Sequence, residues 1–503
     1  MNRLIFIIIS LCLTLSVNAQ KAVKRPNIVV ILSDDVGFEE FGIYNVKKGE
    51  ASNTPNIDAL GEQGVCFKTA WAQSICGPSR SMFYSGNYAA SNGAYDNKIC
   101  WRPGNEAKDL DRFPNFIKIL HDAGYKTAVA GKWHNPIGGH LGAHNDLLGV
   151  DKYIVWNSYP EKVEALTGVK LTPDENWEIA AISQEPILSR YWKPAYVQNG
   201  EVMKTSMKDY GPDILADFIC NFIEENAQTE EPFLAFYPMV LAHGAHCVTP
   251  IDVANGAEAS NQHYKKGTKA GYGYFLNQIR YADQLVGQVV KSIHKAGIAD
   301  NTIIIYASDN GTTSSAKGKG VEYGVHVPLM VAGAGIKQRG MTDELIDFTD
   351  ILPTIADFAN TSIPSKYNVD GTSVKHFLTG QSNETKSVIY AHPGVSTLIR
   401  TKDFMLEAVS PLYGYPNGRF YLTNGSYDGR GYENITHDEN YKGERALFEQ
   451  YLQNMNSKLP HSFDDKIWAD KKLKKGLKFF NNEKRKKAHL SLPKAYQFYD
   501  PAF

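Results

Sequence analysis

Hydrophobic positions in this chain fall into two alternating patterns. Residues 27–32 (NIVVIL) are apolar on both faces and rich in β-branched side chains. Such a run predicts a strand buried on both sides. Residues 126–130, 232–237, 302–306 and 328–332 have the same character, and 65–67 predicts a shorter strand. Between these runs the period becomes helical. Residues 55–63 stop at Gly64, and 114–123 carry Phe116, Ile117, Ile119 and Leu120 before Gly124. Residues 212–225 place Ile214, Leu215, Phe218, Ile219, Phe222 and Ile223 on one stripe, and 274–295 predict a long helix ending near Gly297. Helices alternating with doubly buried strands predict an α/β fold with a large, mostly parallel sheet flanked by helices. After about residue 375 the strands shorten, and Gly, Tyr and Asn crowd together from Tyr413 to Tyr432. This predicts a large domain over 20–375 and a smaller C-terminal α+β subdomain over 376–503 with antiparallel strands. The chain's 503 residues exceed the roughly 250–300 at which a single core stops growing.

The first nineteen residues differ from the rest. Asn2-Arg3 is polar, 4–15 is apolar, and Val17-Asn18-Ala19 precedes Gln20. This predicts a cleavable signal peptide over 1–19 and a secreted or periplasmic protein. The apolar run is short for a membrane span. No later run is long enough, so no membrane insertion is expected after cleavage. A formal net charge of -1 argues against a nucleic-acid partner. Residues 471–487 hold nine Lys or Arg among Leu473, Leu477, Phe479 and Phe480. They read either as a basic face for a polyanion or as a solvated amphipathic helix. Cys66, Cys76, Cys100, Cys220 and Cys247 are too sparse to suggest a disulfide framework.

Candidate chemistry comes from where polar residues follow strands. Ligands of open α/β sheets bind beyond the carboxyl ends of the strands. Ser33-Asp34-Asp35 follows the first strand, and Gly131-Lys132-Trp133-His134 follows 126–130. His243 lies six residues after 232–237, and Asp309-Asn310-Gly311, then Lys317, follow 302–306. Any one group could be a capping or surface residue, and Asn310-Gly311-Thr312 also matches a glycosylation acceptor. Four coincident groups point to a site. Asp34, Asp35, Asp309 and Asn310 offer oxygen ligands, which favour a hard cation such as Ca²⁺ or Mg²⁺. Arg80, Lys132, His134, His243 and Lys317 beside a metal imply an anionic ligand, such as a sulfate or phosphate ester. Cys76-Gly77-Pro78-Ser79-Arg80 reads as a helix start, with Pro78 in the first turn. There Cys76 is either a small buried thiol or a reactive one whose pKa the helix end lowers.

With these motifs the sequence resembles the type I sulfatases of the alkaline phosphatase superfamily, over about residues 25–385. The pentapeptide matches C-x-P-S-R, and Asp34-Asp35-Val36-Gly37 matches D-D-x-G. Thr54 to Leu60, Gly131-Lys132-Trp133-His134, Ser308-Asp309-Asn310-Gly311, Asp350 to Thr354 and Asp370-Gly371-Thr372-Ser373 match further motifs in the same order.

The resemblance implies a sulfuric ester hydrolase in which Cys76 is oxidised to formylglycine by a maturation enzyme. One hydroxyl of the hydrated aldehyde attacks sulfur and gives a sulfo-enzyme intermediate; the other then expels sulfate. It also implies one Ca²⁺ held by Asp34, Asp35, residue 76, Asp309 and Asn310. Arg80 would steady the hydroxyl and the carboxylates, and Lys132 would bind sulfate. His134 would act as base, and His243 and Lys317 would meet the bridging oxygen, with His243 the general acid. Two positions depart from the pattern. Ala242 replaces the proline before His243, and His246 competes for the histidine's role. Glu322 to Pro328 carries His326 where the family has arginine, while its spacing selects Lys317. The expected substrate is a sulfated carbohydrate, a glycosaminoglycan or algal polysaccharide fragment. Trp101, Arg102, His140, His144 and the 177–192 insertion are candidates for contacting it by location. The alternatives are a phosphate or phosphonate monoester hydrolase of the same superfamily and an inactive secreted glycan-binding protein.

Overall fold

The computed structural model describes residues 24–46, 52–94, 97, 113–134, 148–157, 159–172, 178–179, 186–263, 269–312, 316–318, 320–392, 396–409 and 419–456. The segments 1–19 and 471–487, and Trp101, Arg102, His140, His144 and Trp177, lie outside the described residues.

Eleven strands form the large sheet. They are β1 (Asn27–Ser33), β2 (Val65–Trp71), β3 (Lys126–Gly131), β4 (Lys152–Trp156), β5 (Tyr196–Gln198), β6 (Glu201–Val202), β7 (Phe233–Pro238), β8 (Thr302–Ser308), β9 (His326–Val327), β10 (Leu329–Gly333) and β11 (Gly340–Asp347). The order is β9-β2-β10-β8-β1-β7-β3-β4-β5-β6, with β11 beside β2. The five central strands, β8-β1-β7-β3-β4, run parallel. Antiparallel strands are added at both sides.

Side-chain alternation along β1 explains the double burial. Val29 and Ile31 join one core, which includes Ile57 of helix α1 (Pro55–Gln63). Ile28, Val30 and Leu32 join the opposite core, which includes Phe83 of α2 (Cys76–Ser85) and Phe116 of α3 (Phe116–Asp122). Ile219 of α4 (Gly211–Asn226) and Val286 of α5 (Lys269–Lys295) pack on the first face. Ile351 and Leu352 of α6 (Ile351–Phe358) pack on the second. Each fully buried aliphatic side chain contributes about 1.5–3 kcal/mol, so a strand apolar on both faces is held from both. Among the described residues no helix is long and apolar enough to cross a membrane.

A second, five-stranded antiparallel sheet runs Ile389–Ala391, Ser396–Arg400, Phe404–Val409, Arg419–Leu422 and Glu433–Asn434. It is followed by helix α7 (Lys442–Asn456). Tyr427 donates to the Tyr44 carbonyl at 2.7 Å, and Tyr323 donates to the Asp428 carbonyl at 2.8 Å. The small sheet is thereby pinned beside the large one.

Candidate active site

Four adjacent parallel strands end on one side of the sheet, and their ends carry the site. Asp34 and Asp35 follow β1, Lys132 follows β3, His243 lies in the loop after β7, and Asp309 and Asn310 follow β8. Gly131 is what lets β3 close on its neighbour. Its φ is +131°, and a Cβ there would stand 1.9 Å from the Pro238 carbonyl oxygen. Asp35 and His134 both have left-handed backbones, at φ +65° and +37°. Strain of that kind in non-glycine residues collects at functional sites.

Cys76 opens α2 beneath these ends. Its Sγ lies 3.6 Å from Asp34 Oδ1, 3.6 Å from Asp35 Oδ1 and 2.9 Å from Lys317 Nζ. The Gly77 N–H of the first turn donates to Asn97 Oδ1 at 2.9 Å. The helix start does not activate the thiol. Burial pushes it up to about 12, and the nearby Lys132 and Lys317 do not offset that. As a plain cysteine it is held protonated, so of the two readings the buried thiol stands and the activated one does not.

Around the sulfur, three carboxylates meet three cations. Lys132 Nζ donates to Asp34 Oδ2 at 2.7 Å and to Oδ1 at 3.0 Å. Arg80 donates to Asp309 Oδ2 at 3.0 and 2.9 Å and to the Lys132 carbonyl at 2.8 Å, and it approaches Asp34 at 3.6 Å. Lys317 Nζ donates to Asp35 Oδ1 at 2.5 Å. Despite full burial, Lys132 and Arg80 hold Asp34 well below the usual carboxylate range, and Lys317 does the same for Asp35. Asp309 goes the other way. Burial and the neighbouring Asp34 push it up to about 7, although Arg80 opposes them. Burial and Lys132 hold His134 well below the usual imidazole range, and burial and Lys317 hold His243 there, so both rings are neutral at pH 7.

Asp34, Asp35, Cys76 and His243 present one ligand atom each within 4.8 Å of one another. Asp309 and Asn310 flank that group. Asp309 Oδ1 accepts from the Asp35 N–H at 3.0 Å, and the Asn310 amide donates to Asp35 Oδ1 at 2.9 Å. Asp35 Oδ2 and Asn310 Oδ1 are buried without a hydrogen-bond partner. An orphaned buried acceptor is destabilising unless a cation or donor completes it. These oxygens therefore suit a divalent metal.

The sequence placed other residues less well. Asn310 is fully buried and bound to Asp35, so the glycosylation reading of Asn310-Gly311-Thr312 is excluded in the folded protein. His246 is buried and its Nδ1 lies 3.2 Å from Gln278 Oε1, whereas His243 Nε2 lies 3.6 Å from Asp35 Oδ2. Of the two histidines, His243 is the one that faces the carboxylates. His326 is a core residue, stacked 3.6 Å from the Phe38 ring with Nε2 2.7 Å from the Lys68 carbonyl. Among the described residues Cys66, Cys76, Cys220 and Cys247 are all free thiols. Sequence reasoning missed Arg190, whose Nη1 lies 3.0 Å from His243 Nδ1. It sits in no motif, and no spacing ties it to a strand end.

Known proteins resemble this chain in sequence and fold. The chain is 28% identical over 446 residues to a sulfatase of Formosa agariphila, covering 77% of this chain and 79% of that one. It is 26% identical to an ulvan-active sulfatase of the same organism, covering 85% and 76%. The solved structure of Ps i-CgsB superposes with a TM-score of 0.66 at 22% identity, over 87% of this chain and 94% of that one. The Sulfatase family model matches residues 26–361, a stretch that contains every residue of the charged site. The chain thus belongs to the sulfatase family and is a sulfuric ester hydrolase.

Proposed function

We propose that this sulfatase cleaves sulfate esters on a sulfated carbohydrate, and that it does so with Cys76 oxidised to formylglycine. The observation that carries the proposal is the setting of Cys76, buried against Asp34, Asp35 and Lys317 with its thiol held protonated. A thiol in that state is a poor nucleophile, whereas a hydrated aldehyde there would present a hydroxyl to the same carboxylates and lysine. The activity of the ulvan-active relative supports a glycan substrate.

Asp34, Asp35, residue 76, Asp309 and Asn310 would hold the divalent cation, Ca²⁺ in our reading, and the two orphaned oxygens support this. Such a cation supplies positive charge against sulfate oxygens and acidifies a neighbouring hydroxyl. The chain's own residues do the rest. Three carboxylates already balance Arg80, Lys132 and Lys317, so an added cation leaves excess positive charge for an anionic ester. Arg80 holds Asp309 and Asp34 in register. Lys132 and Lys317 lie within the same cluster and would bind sulfate oxygens. His134 would move the proton that releases sulfate, and His243 would face the ester oxygen through Nε2. Export through the 1–19 leader belongs to the same proposal.

The test is mass spectrometry of the Cys76 peptide after co-expression with a formylglycine-generating enzyme. A loss of about 18 Da from the peptide, which is the step from thiol to aldehyde, is expected, together with sulfate release from sulfated oligosaccharides. An unmodified thiol in protein that still releases sulfate would overturn the formylglycine route. Faster turnover of the matching phosphate ester would overturn the substrate assignment.

A further inference from the structure

Arg190 belongs to none of the motifs, yet its guanidinium reaches the ring of His243. It is buried and lies 4.1 Å from the centroid of the Trp156 ring. Its neighbours grip the loop that carries His243. Tyr191 donates to the carbonyls of Val240 and His243, and Trp192 Nε1 donates to the Val248 carbonyl at 2.9 Å. Those contacts hold backbone. Arg190 differs because it touches the imidazole itself, with Nη1 3.0 Å from Nδ1.

A guanidinium can only donate. A hydrogen bond from Arg190 to His243 therefore requires an unprotonated Nδ1. In neutral imidazole that places the proton on Nε2. Nε2 is the nitrogen that faces the site, 3.6 Å from Asp35 Oδ2. The Gly244 carbonyl, 2.8 Å from the same Nδ1, favours the opposite tautomer because it can only accept. The charged donor prevails for two reasons. Charge-assisted hydrogen bonds are about twice as strong as neutral ones. An N–H on Nδ1 would also point at guanidinium N–H groups beside a buried positive charge.

We infer that Arg190 is a positioning residue that fixes His243 as the Nε2–H tautomer, so that a neutral N–H donor faces the ester oxygen leaving sulfur. The inference rests on the sulfatase reading and on His243 facing that oxygen. As the S–O bond breaks, its electron pair stays on the ester oxygen. The Nε2–H bonds to the growing charge and keeps its proton. The water consumed in hydrolysis supplies the proton of the alcohol product. This role differs from the proton-transferring acid that the resemblance implies.

Leaving-group dependence tests it. An activated ester such as 4-nitrophenyl sulfate needs little help at the departing oxygen, whereas a sugar 6-sulfate needs much. Matured wild type, Arg190→Met, Arg190→Lys, His243→Ala and the Arg190→Met/His243→Ala double variant are compared on both esters. Arg190→Met is expected to lose on the order of 100-fold in kcat/KM on the sugar ester, the scale of one lost transition-state donor, and less than about fivefold on the nitrophenyl ester. Arg190→Lys should recover part of the loss, and the double variant should be no worse than His243→Ala. Equal losses on both esters, or additive losses in the double variant, would overturn the inference. If Arg190→Met does not fold, Arg190→Lys decides by the same criterion. Equal losses for His243→Ala would show that His243 does not face the ester oxygen, and the inference falls with it. A wild type that cleaves neither ester would instead sink the sulfatase reading itself.

Discussion

Two clusters of buried charge can be compared in this protein. One lies at the carboxyl ends of β1, β3 and β8, where Asp34, Asp35 and Asp309 meet Arg80, Lys132 and Lys317. The other joins the two sheets, where Glu322 and Glu407 meet Arg400 and Arg419. Both exclude water. In the second, protein groups face both carboxylates, although Glu407 Oε2, 2.7 Å from Arg419 Nη2, has no hydrogen bond. Glu322 accepts from Arg400 at 2.6 Å and from Tyr432 at 2.9 Å, and Glu407 accepts from the Glu322 N–H at 3.0 Å. The first leaves Asp35 Oδ2 and Asn310 Oδ1 without partners. Burial of ion pairs is weak evidence of stabilisation in either place. What separates the clusters is what meets the leftover carboxylate oxygen: Glu407 Oε2 lies 2.7 Å from the Arg419 guanidinium, whereas Asp35 Oδ2 meets the neutral His243 ring at 3.6 Å, beside the orphaned Asn310 Oδ1.

Three substitutions would break or sharpen that contrast. The largest effect on activity is expected from Cys76→Ala. Sulfate release should fall by at least ~10³-fold, because the nucleophile is gone. The apparent melting temperature should move by less than ~3 °C, since a small side chain is lost from a packed helix start. Residual turnover within tenfold of wild type would remove Cys76 from the chemistry.

Arg400→Met should reverse the pattern. It leaves the Glu322 carboxylate buried without its cation, which costs about 3–5 kcal/mol in folding stability. A urea midpoint measures it, while the folded enzyme keeps its turnover. An unchanged midpoint with lost turnover would place this cluster within the active site instead.

His326 gives the smallest effect at neutral pH, together with a pH signature. Burial and the nearby Arg400 hold its imidazole down to about 3. The unfolded chain binds that proton near pH 6.5 and the folded one does not. The stability it contributes is therefore complete above about pH 6.5 and is lost as pH falls toward 3. The slope reaches about 1.4 kcal/mol per pH unit. His326→Phe keeps the stacking on Phe38 and should flatten this part of the acid limb in urea titrations from pH 4 to 7. Identical slopes in both proteins would show that His326 does not carry it.

Legibility in the sequence followed burial. β1, β3, β7 and β8 are apolar on both faces and could be read directly. β2 runs to Trp71 although only 65–67 looked like strand, because Lys68 and Thr69 interrupt the apolar run. Its pairing with β10 and β11 extends it. β11 (GMTDELID) is exposed at its start and carries no clear period. α5 begins five residues before the helix predicted at Tyr274, with Gly271 and Gly273 weakening its local signal. At the site, Asp34, Lys132 and Asp309 were legible because each directly follows a buried strand. Arg190 was not, since it meets His243 across 53 residues.

By itself the sequence determined which strands are buried on both faces and which polar residues stand at their carboxyl ends. Side-chain periodicity and chain adjacency are local properties, and they are enough for that. Only the tertiary structure decided that Cys76 stays protonated, that Asp35 Oδ2 and Asn310 Oδ1 have no partners, and that Arg190 touches the His243 ring. Desolvation, unsatisfied acceptors and competing hydrogen bonds depend on which atoms meet in three dimensions. No local pattern along the chain encodes those meetings.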